Sequence, residues 1–396
     1  MWRLGFFFHE MAFGLLSVFI PLYVVLQLNG SLIDLGIMTS VALFFGIPAS
    51  FFWGYICDKT RSYKIYILLS FISGSVILYA FTFTNSVFLF IVLFVAMQML
   101  HVAHEPPKNV LIAEHYSREE WEKSYAAYEG LTEIGWFIGL LLGLLASIYS
   151  LNAAYTLYLC SALNLVAFVL SIFLVADPLM IFERRLVGIE RRIDFTYRGV
   201  ESASALMDGR SSGGIVKQEN FFAFGIALMF FMLASSILFT PLPIFFEQEL
   251  NFSSTEVFLV YMLNSGGSLL GYFIAGRKSI FSSARKNMRR IMFLRSMLVF
   301  LLVAVVEITL FKMFFAGIVF VMLGFAYAVY YILTLALSME LVPAGKNAVF
   351  DVLVGLGAAL GSFLGPYFAL TIGYLPTFLM AGGLFLFAFL VVWFFT

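Results

Sequence analysis

Apolar runs of about 20 residues, the length that an α-helix needs to cross a bilayer, recur along the whole chain. Lipid offers the backbone no hydrogen-bond partner, so these runs are predicted to fold as membrane-spanning helices. Turn residues and charges separate them into twelve predicted spans. The spans are 4–27, 32–56, 64–83, 86–112, 122–148, 153–176, 220–246, 254–275, 288–308, 312–338, 346–371 and 374–395. The predicted fold class is an all-α polytopic membrane protein, which fits the 62% of hydrophobic and 12% of charged residues.

The basic residues indicate an orientation in the membrane. If the first span enters from the cytoplasm, every Lys and Arg of the sequence except Lys312 falls on or near the cytoplasmic side. An excess of Lys and Arg in cytoplasmic loops is the general rule for such proteins. Both termini are therefore predicted to be cytoplasmic, and the plasma membrane is the expected location.

The two halves of the sequence resemble each other. The stretch 29–34, NGSLID, returns as 251–256, NFSSTE, and each is a capping box that would begin the next helix. Glycines four residues apart, which let helices pack closely, recur at the same offset. They are Gly135, Gly139 and Gly143 in the first half and Gly357, Gly361 and Gly365 in the second. The pattern predicts a six-plus-six duplication with both halves in the same orientation.

The duplication divides the chain into two predicted domains, 1–176 and 220–396. The hydrophilic stretch between them, 177–219, has apolar residues on one helical face and basic residues around it. This stretch is predicted to hold an amphipathic helix on the inner leaflet, followed by a flexible linker.

The loop between the second and third spans has a characteristic pattern. It reads GYICDKTRSYK over 54–64, with a glycine, an aspartate four residues on, and then clustered basic residues. This pattern resembles the signature loop of the major facilitator superfamily. The twelve spans, two halves and long central stretch extend the resemblance over essentially the whole chain. The resemblance implies two six-helix bundles related by pseudo-two-fold symmetry.

The resemblance also implies a latch between the cytoplasmic ends of the two halves. Gly54 would let the second span approach the eleventh closely, and Asp58 would lie near the positive N-terminal end of the eleventh. The basic side chains would pair with inner carboxylates such as Glu114. The implied latch residues are Gly54, Asp58, Lys59, Arg61, Lys64 and Glu114. The alternative is a solvated loop whose basic residues only set the topology.

The fourth span carries polar side chains within an apolar run. Its stretch 98–108, QMLHVAHEPPK, spaces them three or four residues apart, so they share one helix face. This polar stripe consists of Gln98, His101, His104, Glu105 and Lys108. Charges in the middle of a bilayer cost about 2.5–3.5 kcal/mol each on insertion scales, so the face is predicted to turn away from lipid. Pro106 and Pro107 are predicted to interrupt the helix.

Other spans offer partners for this stripe. Lys108 is predicted to pair with Glu129 of the fifth span, and Glu133 to lie near His104. Asp351 is the repeat counterpart of Glu129. The candidate residues for proton and substrate binding outside the stripe are His9, Glu10, Glu129, Glu133, Tyr327, Tyr330, Tyr331 and Asp351.

The cluster is interpreted as a proton and substrate site, because histidine and a partly buried carboxyl can exchange protons near neutral pH. A structural ion-pair network that keeps its protonation is the alternative. A metal site made of His101, His104 and Glu105 is less favoured than proton exchange. For the tyrosines, core packing competes with a role in lining a substrate site.

The predicted function is secondary active transport of a small organic solute by alternating access, coupled to protons. The alternatives are proton-driven efflux of amphipathic compounds and, less favoured, a non-transporting membrane sensor. An enzyme is not expected, since neither H-E-x-x-H nor G-x-S-x-G occurs. The expected partners are the solute, protons and the lipid bilayer, with no cofactor, no metal and a monomeric state. A net charge of zero gives no support for nucleic-acid binding.

Overall fold

The structure is a computed structural model, and it describes residues 2–115, 121–177, 221–275, 284–306, 311–341 and 347–395. These residues are almost all helical, and no strand occurs among them. The helices of the first half are α1 (Arg3–Leu22), α2 (Leu32–Thr60), α3 (Tyr63–Phe81), α4 (Val87–His101), α5 (Glu105–His115), α6 (Trp121–Ile148) and α7 (Ala153–Leu174). Those of the second half are α8 (Phe221–Phe239), α9 (Leu242–Gln248), α10 (Ser254–Ala275), α11 (Ala284–Val306), α12 (Lys312–Leu341), α13 (Asn347–Ile372) and α14 (Tyr374–Phe395).

Each of the twelve predicted spans coincides with a helix or a pair of consecutive helices. A π-helical turn, Tyr23–Gln27, extends α1, while α4 and α5 together form the fourth span and α8 and α9 the seventh. In the described part of the chain, eleven segments are long and apolar enough to cross a membrane. The remaining predicted span is α11, whose first half is rich in Arg and Lys. The fold class predicted from the sequence is confirmed.

The two capping boxes of the repeat occupy equivalent places. Ser31 Oγ accepts a hydrogen bond from the backbone N–H of Asp34 at 3.1 Å, and the Asp34 carboxylate accepts one from the Ser31 N–H at 2.8 Å. Ser253 and Glu256 make the same pair of bonds at the start of α10, at 3.3 and 2.7 Å. Each box satisfies N–H groups that a helix start would otherwise leave unbonded.

Two of the repeated glycines show why their positions allow no side chain. A Cβ on Gly139 of α6 would meet the backbone carbonyl of Met11 in α1, and a Cβ on Gly361 of α13 would meet the carbonyl of Leu233 in α8. The equivalent pairs α1–α6 and α8–α13 therefore pack backbone to backbone, as small residues permit in membrane helices.

The halves meet along two symmetry-related pairs of helices, α2 with α13 and α6 with α10. Gly36 of α2 lies against Pro366 of α13. At the C-terminal end of α6, the hydroxyls of Ser147 and Thr255 are hydrogen-bonded at 2.9 Å. These pairs leave a space between the halves that α1, α8 and α12 complete. Within the predicted connecting stretch, 177–219, only Asp177 belongs to the described residues.

Candidate functional site

The polar stripe lies where the fourth span changes its helical form. Helix α4 ends at His101, a 3₁₀ turn covers Val102–His104, and α5 begins at Glu105. Pro106 and Pro107 thus fall in the first turn of α5, where a missing N–H removes no intrahelical bond. The predicted interruption is present, but it lies in the turn before the prolines.

His9, His101 and His104 form one group, in which His9 and His104 are buried and His101 is partly buried. His9 Nδ1 lies 2.6 Å from Asn164 Oδ1, and His9 Nε2 lies 3.0 Å from His101 Nδ1. His104 Nδ1 lies 3.1 Å from the hydroxyl of Ser70. Helix α1 thus contacts the stripe through His9, one of the candidates predicted outside the stripe. Asn164 of α7 was not among the predicted residues, because a single amide in an apolar helix gives no pattern.

The histidine nitrogens lie within 4.8 Å of one another, close enough to reach one metal ion. This group contains His9 in place of Glu105, so it differs from the metal site considered from the sequence. Hydrogen bonds to Asn164 and Ser70 already engage a nitrogen of His9 and of His104. The three histidines thus form a hydrogen-bonded network with Asn164 and Ser70.

Lys108 pairs within its own helix. Its ammonium lies 2.5 Å from one oxygen of Glu105, and His104 Nε2 lies 3.3 Å from the other. The predicted partner, Glu129, lies close enough for its charge to act on Lys108. The predicted ion pair between them is therefore replaced by the pair with Glu105, three residues away on one helix face.

The carboxylates of α6 bond to the second half of the molecule. Glu129 accepts a hydrogen bond from the Tyr331 hydroxyl of α12. Glu133 accepts one from Ser265 Oγ of α10 at 2.5 Å, so it is not a partner of His104 as predicted. The sequence showed the shared face of Glu129 and Glu133, but not that this face turns to the other half.

Four carboxyl groups and one ammonium group occur in this region. Glu10 of α1 packs beside Gly135 of α6, and its charge interacts with those of Glu105, Glu129, Glu133 and Lys108. Such an excess of carboxylates in a poorly solvated place favours the exchange of protons.

The remaining predicted residues have separate places. Tyr327 lines the space between the halves, whereas Tyr330 is buried and stacks on Phe231 with ring centroids 3.5 Å apart. Tyr330 is therefore a packing residue. Gln98 lies near Gly46 of α2. The side chain of Asp351 is outside the described residues.

The space between the halves holds a cavity of about 370 Å³. The first half lines it with Ser17, Pro21, Leu35 and Thr39, and the second half with Met232, Ser235, Ser236, Phe239, Thr240, Asn264, Arg295, Leu323 and Tyr327. Its size is at the lower end of the roughly 300–1,000 Å³ typical of small-molecule sites.

Arg295 of α11 is the one basic side chain among the described residues that line this cavity, and the sequence analysis did not predict it as a site residue. It lies 11 residues after the start of α11 and is only 1% exposed. In the sequence it resembles the basic residues that set membrane topology, because it follows a cluster of them. A signal was present, since Arg295 falls inside the predicted span 288–308.

Among the described residues, no contact of the latch implied by the resemblance is present. A Cβ on Gly54 would lie 4.0 Å from Cγ of Pro106, and no described atom of α13 would lie within 4 Å of it. Helix α2 approaches α13 at Gly36 and at Ile47 instead. The close approach expected at Gly54 is therefore not seen among the described residues in this conformation, and it stays a prediction.

Among the described residues, the charged side chains of the latch loop have no partner in the other half. Asp58, Lys59 and Arg61 are exposed, and none of them forms an ion pair within the described residues. Lys64 bonds to the end of α7, where its ammonium donates to the Ile172 carbonyl at 2.5 Å and its backbone N–H to Asp177 at 2.8 Å. The side chain of Glu114 is outside the described part of the chain.

Solved structures of transporters resemble this fold over its whole length. The nucleoside transporter NupG matches with a TM-score of 0.70 at 12% identity, covering 100% of this chain and 98% of that one. The xylose transporter XylE from E. coli matches with 0.70 at 15%, covering 100% and 97%. A POT family transporter in complex with 5-aminolevulinic acid matches with 0.73 at 13%, covering 99% and 94%. At such identities the likeness shows the fold alone.

Sequence comparison identifies the family. A search of curated protein sequences finds no match. The family described as Major Facilitator Superfamily matches residues 4–350 and, in a second match, residues 224–396. The chain therefore belongs to the major facilitator superfamily, as a multi-pass membrane transporter and not an enzyme.

Proposed function

We propose that this transporter moves a small organic solute by alternating access and couples the movement to protons. The observation that carries the proposal is that two carboxylates of α6, Glu129 and Glu133, bond to the opposite half through Tyr331 and Ser265. A proton that binds there acts directly on contacts between the parts that must move.

The coupling follows from the chemistry of these two bonds. An ionised carboxylate accepts a stronger hydrogen bond than a neutral carboxylic acid does. Proton uptake by Glu129 or Glu133 therefore weakens the attachment of α6 to α12 and α10, and proton release strengthens it. The nearby charges of Glu10, Glu105 and Lys108 set how readily this exchange occurs.

The cavity between the halves is the proposed solute site. Both halves line it, so a bound solute contacts both and is exposed to either side as they rock against each other. The proposed orientation has both termini in the cytoplasm, and the proposed form is a monomer in the plasma membrane. A protease that cleaves terminal tags in inside-out but not right-side-out vesicles tests the orientation.

Proteoliposomes with a trapped pH dye test the coupling. Nucleosides, sugars, short peptides and carboxylates are added in turn, and the solute that changes the internal pH is then followed as a radiolabel. Glu129→Gln and Glu133→Gln should lose solute-driven proton movement, whereas Glu249→Gln, at an exposed position, should keep it. Full coupling in both cluster variants would overturn the assignment of these carboxylates.

The latch is proposed for the alternate conformation. Asp58, Lys59 and Arg61 are free of ion pairs among the described residues, so they can pair when the cytoplasmic ends close. Asp58→Asn should slow solute exchange and leave the thermal unfolding midpoint of the protein unchanged. Normal exchange in Asp58→Asn would indicate that the loop serves topology only.

A further inference from the structure

We propose that the cavity between the halves binds the carboxylate group of an organic monoanion through Arg295. The transported solutes are then small monocarboxylates with an apolar or hydroxylated body. This inference rests on the proposed function, since it takes the cavity for the solute site.

Arg295 is a buried cation without a counter-ion. It lies in the middle of α11, is 1% exposed, and forms no salt bridge with any acidic side chain among the described residues. Among the described residues, its one hydrogen bond to a protein oxygen runs 3.5 Å from Nη1 to the Leu323 carbonyl, and its Nε has no hydrogen-bond partner. A charge at this depth in a membrane protein is costly unless it is paired, and it usually marks a functional site.

Aromatic rings surround the guanidinium but do not use its N–H groups. The ring centroids of Tyr327, Phe231, Phe385 and Phe239 lie 5.1 to 5.6 Å from the guanidinium carbon. Contacts of this kind stabilise the positive charge. Rings accept no conventional hydrogen bond, so apart from the one bond from Nη1 to Leu323 the N–H donors of Arg295 are left for an acceptor that comes from outside the chain.

A second unbonded polar group lies on the same cavity wall. The hydroxyl of Ser235 on α8 is buried and has no hydrogen-bond partner in the described part of the chain. Arg295 and Ser235 both line the cavity. Buried polar groups normally have partners, so two orphans on one wall indicate that a ligand supplies the missing acceptor.

The chemistry of the wall selects the ligand class. A guanidinium matches the planar carboxylate with two parallel hydrogen bonds. With only one cation on the described wall, the site suits a monoanion better than a phosphate dianion. The rest of the wall mixes the hydroxyl-bearing Thr39 and Thr240 with the apolar Leu35 and Met232, which fits an apolar or hydroxylated body.

Thermal unfolding of the purified protein in detergent tests the anion site. The probes are benzoate and hexanoate at millimolar concentration, each compared with its neutral amide, benzamide or hexanamide. A ligand that binds the native state raises the midpoint. The carboxylates should raise it and the amides should not.

Substitution then locates the site. Arg295→Gln should weaken the response to carboxylates about tenfold or more, the loss expected on removing a hydrogen bond to a charged group. Ser235→Ala should weaken it less. Arg290→Gln, at an exposed position of the same helix, should respond as the wild type does. No carboxylate response in the wild type, or an unchanged response in Arg295→Gln, would overturn the proposal.

Two further results separate this inference from the proposed function. If Arg295→Gln lowers the midpoint strongly without any probe, and the wild type does not distinguish carboxylates from amides, Arg295 is a structural cation and the anion site is refuted. Carboxylate binding that depends on Arg295 without any flux in proteoliposomes would support the site and contradict transport. Proton-linked flux of a neutral solute that Arg295→Gln leaves unchanged would support the proposed transport and contradict the anion site.

Discussion

At the residue scale, the buried polar side chains of the first half depend on one another. Asn164 is fully buried and lies 2.6 Å from His9, which in turn lies 3.0 Å from His101. Low polarity around such a network strengthens each hydrogen bond, and it makes the loss of a partner more destabilising. Single substitutions should therefore have large effects here.

Asn164→Leu keeps the approximate volume but leaves the ring nitrogen of His9 without its partner. The free energy of unfolding should fall by about 1–3 kcal/mol, the cost of an unsatisfied buried polar group. The thermal midpoint in detergent measures this loss, with Gln27→Leu at an exposed position as the control. A shift as small as that of Gln27→Leu would show that the His9 bond contributes little.

Lys108 and Glu105 should show coupled effects on stability. The pair is 2.5 Å apart, with side chains 9% and 40% exposed. Lys108→Gln should destabilise the protein by about 2 kcal/mol, less than the 3–5 kcal/mol of a fully buried pair, because water reaches Glu105. The double variant with Glu105→Gln should recover part of this loss, since the orphaned carboxylate is gone. Simple addition of the two single effects would contradict the pairing.

At the element scale, close packing of helices rests on glycines whose neighbours are backbone atoms. Gly139→Ala places a methyl group against the Met11 carbonyl, so α1 and α6 must separate. The expected loss is about 1–3 kcal/mol, as for other overpacked interiors. The matched control is Gly383→Ala in α14, where nothing lies within 4 Å of the added methyl.

The control carries its own expectation. Gly383→Ala should be neutral or stabilise by up to about 1 kcal/mol through helix propensity. Thermal unfolding of both variants under the same conditions compares their changes in stability. Equal losses in the two would mean that glycine content, and not helix contact, sets stability here.

The elements were predictable from the sequence because a bilayer leaves the backbone few options. Hydropathy placed all twelve spans within a few residues, and the capping boxes gave the starts of α2 and α10. Partner choice was not predictable, because the sequence gives neither the rotation of a helix nor its neighbours. Glu133 shows this, since its face turns to Ser265 of the other half and away from His104.

Arg295 shows a second limit. Basic residues near the start of a span normally set the orientation in the membrane. In the sequence, an arginine of that kind cannot be told from an arginine that faces a cavity. Only the packing of α11 beside α8 and α12 distinguishes the two roles for this residue.

At the scale of the whole molecule, two sets of contacts on α6 join the halves. Ser147 bonds to Thr255 at the C-terminal end of this helix, and its carboxylates bond to the other half closer to the middle. The opposite end carries the loop residues Asp58, Lys59 and Arg61 without ion pairs among the described residues. Proton exchange at Glu129 and Glu133 can therefore shift the equilibrium between two conformations, one closed at the Ser147–Thr255 end and one closed at the end that carries the α2–α3 loop.

Spin-label distances test this central claim directly. One pair replaces Lys59 and Lys286 at the end that carries the α2–α3 loop, and the other replaces Tyr149 and Phe314 at the far end. All four positions are exposed, while the native Cys57 and Cys160 are buried. Distances are measured by double electron–electron resonance at acidic and at alkaline pH, in the protein and in the Glu129→Gln/Glu133→Gln variant.

Acidic pH should shorten the Lys59–Lys286 distance and lengthen the Tyr149–Phe314 distance, because protonated carboxyls hold α6 to α10 and α12 less strongly and so destabilise the conformation in which these bonds form. The double variant should give one set of distances at both pH values. Distances in the wild-type background that ignore pH, or a double variant that responds as the wild type does, would contradict the account.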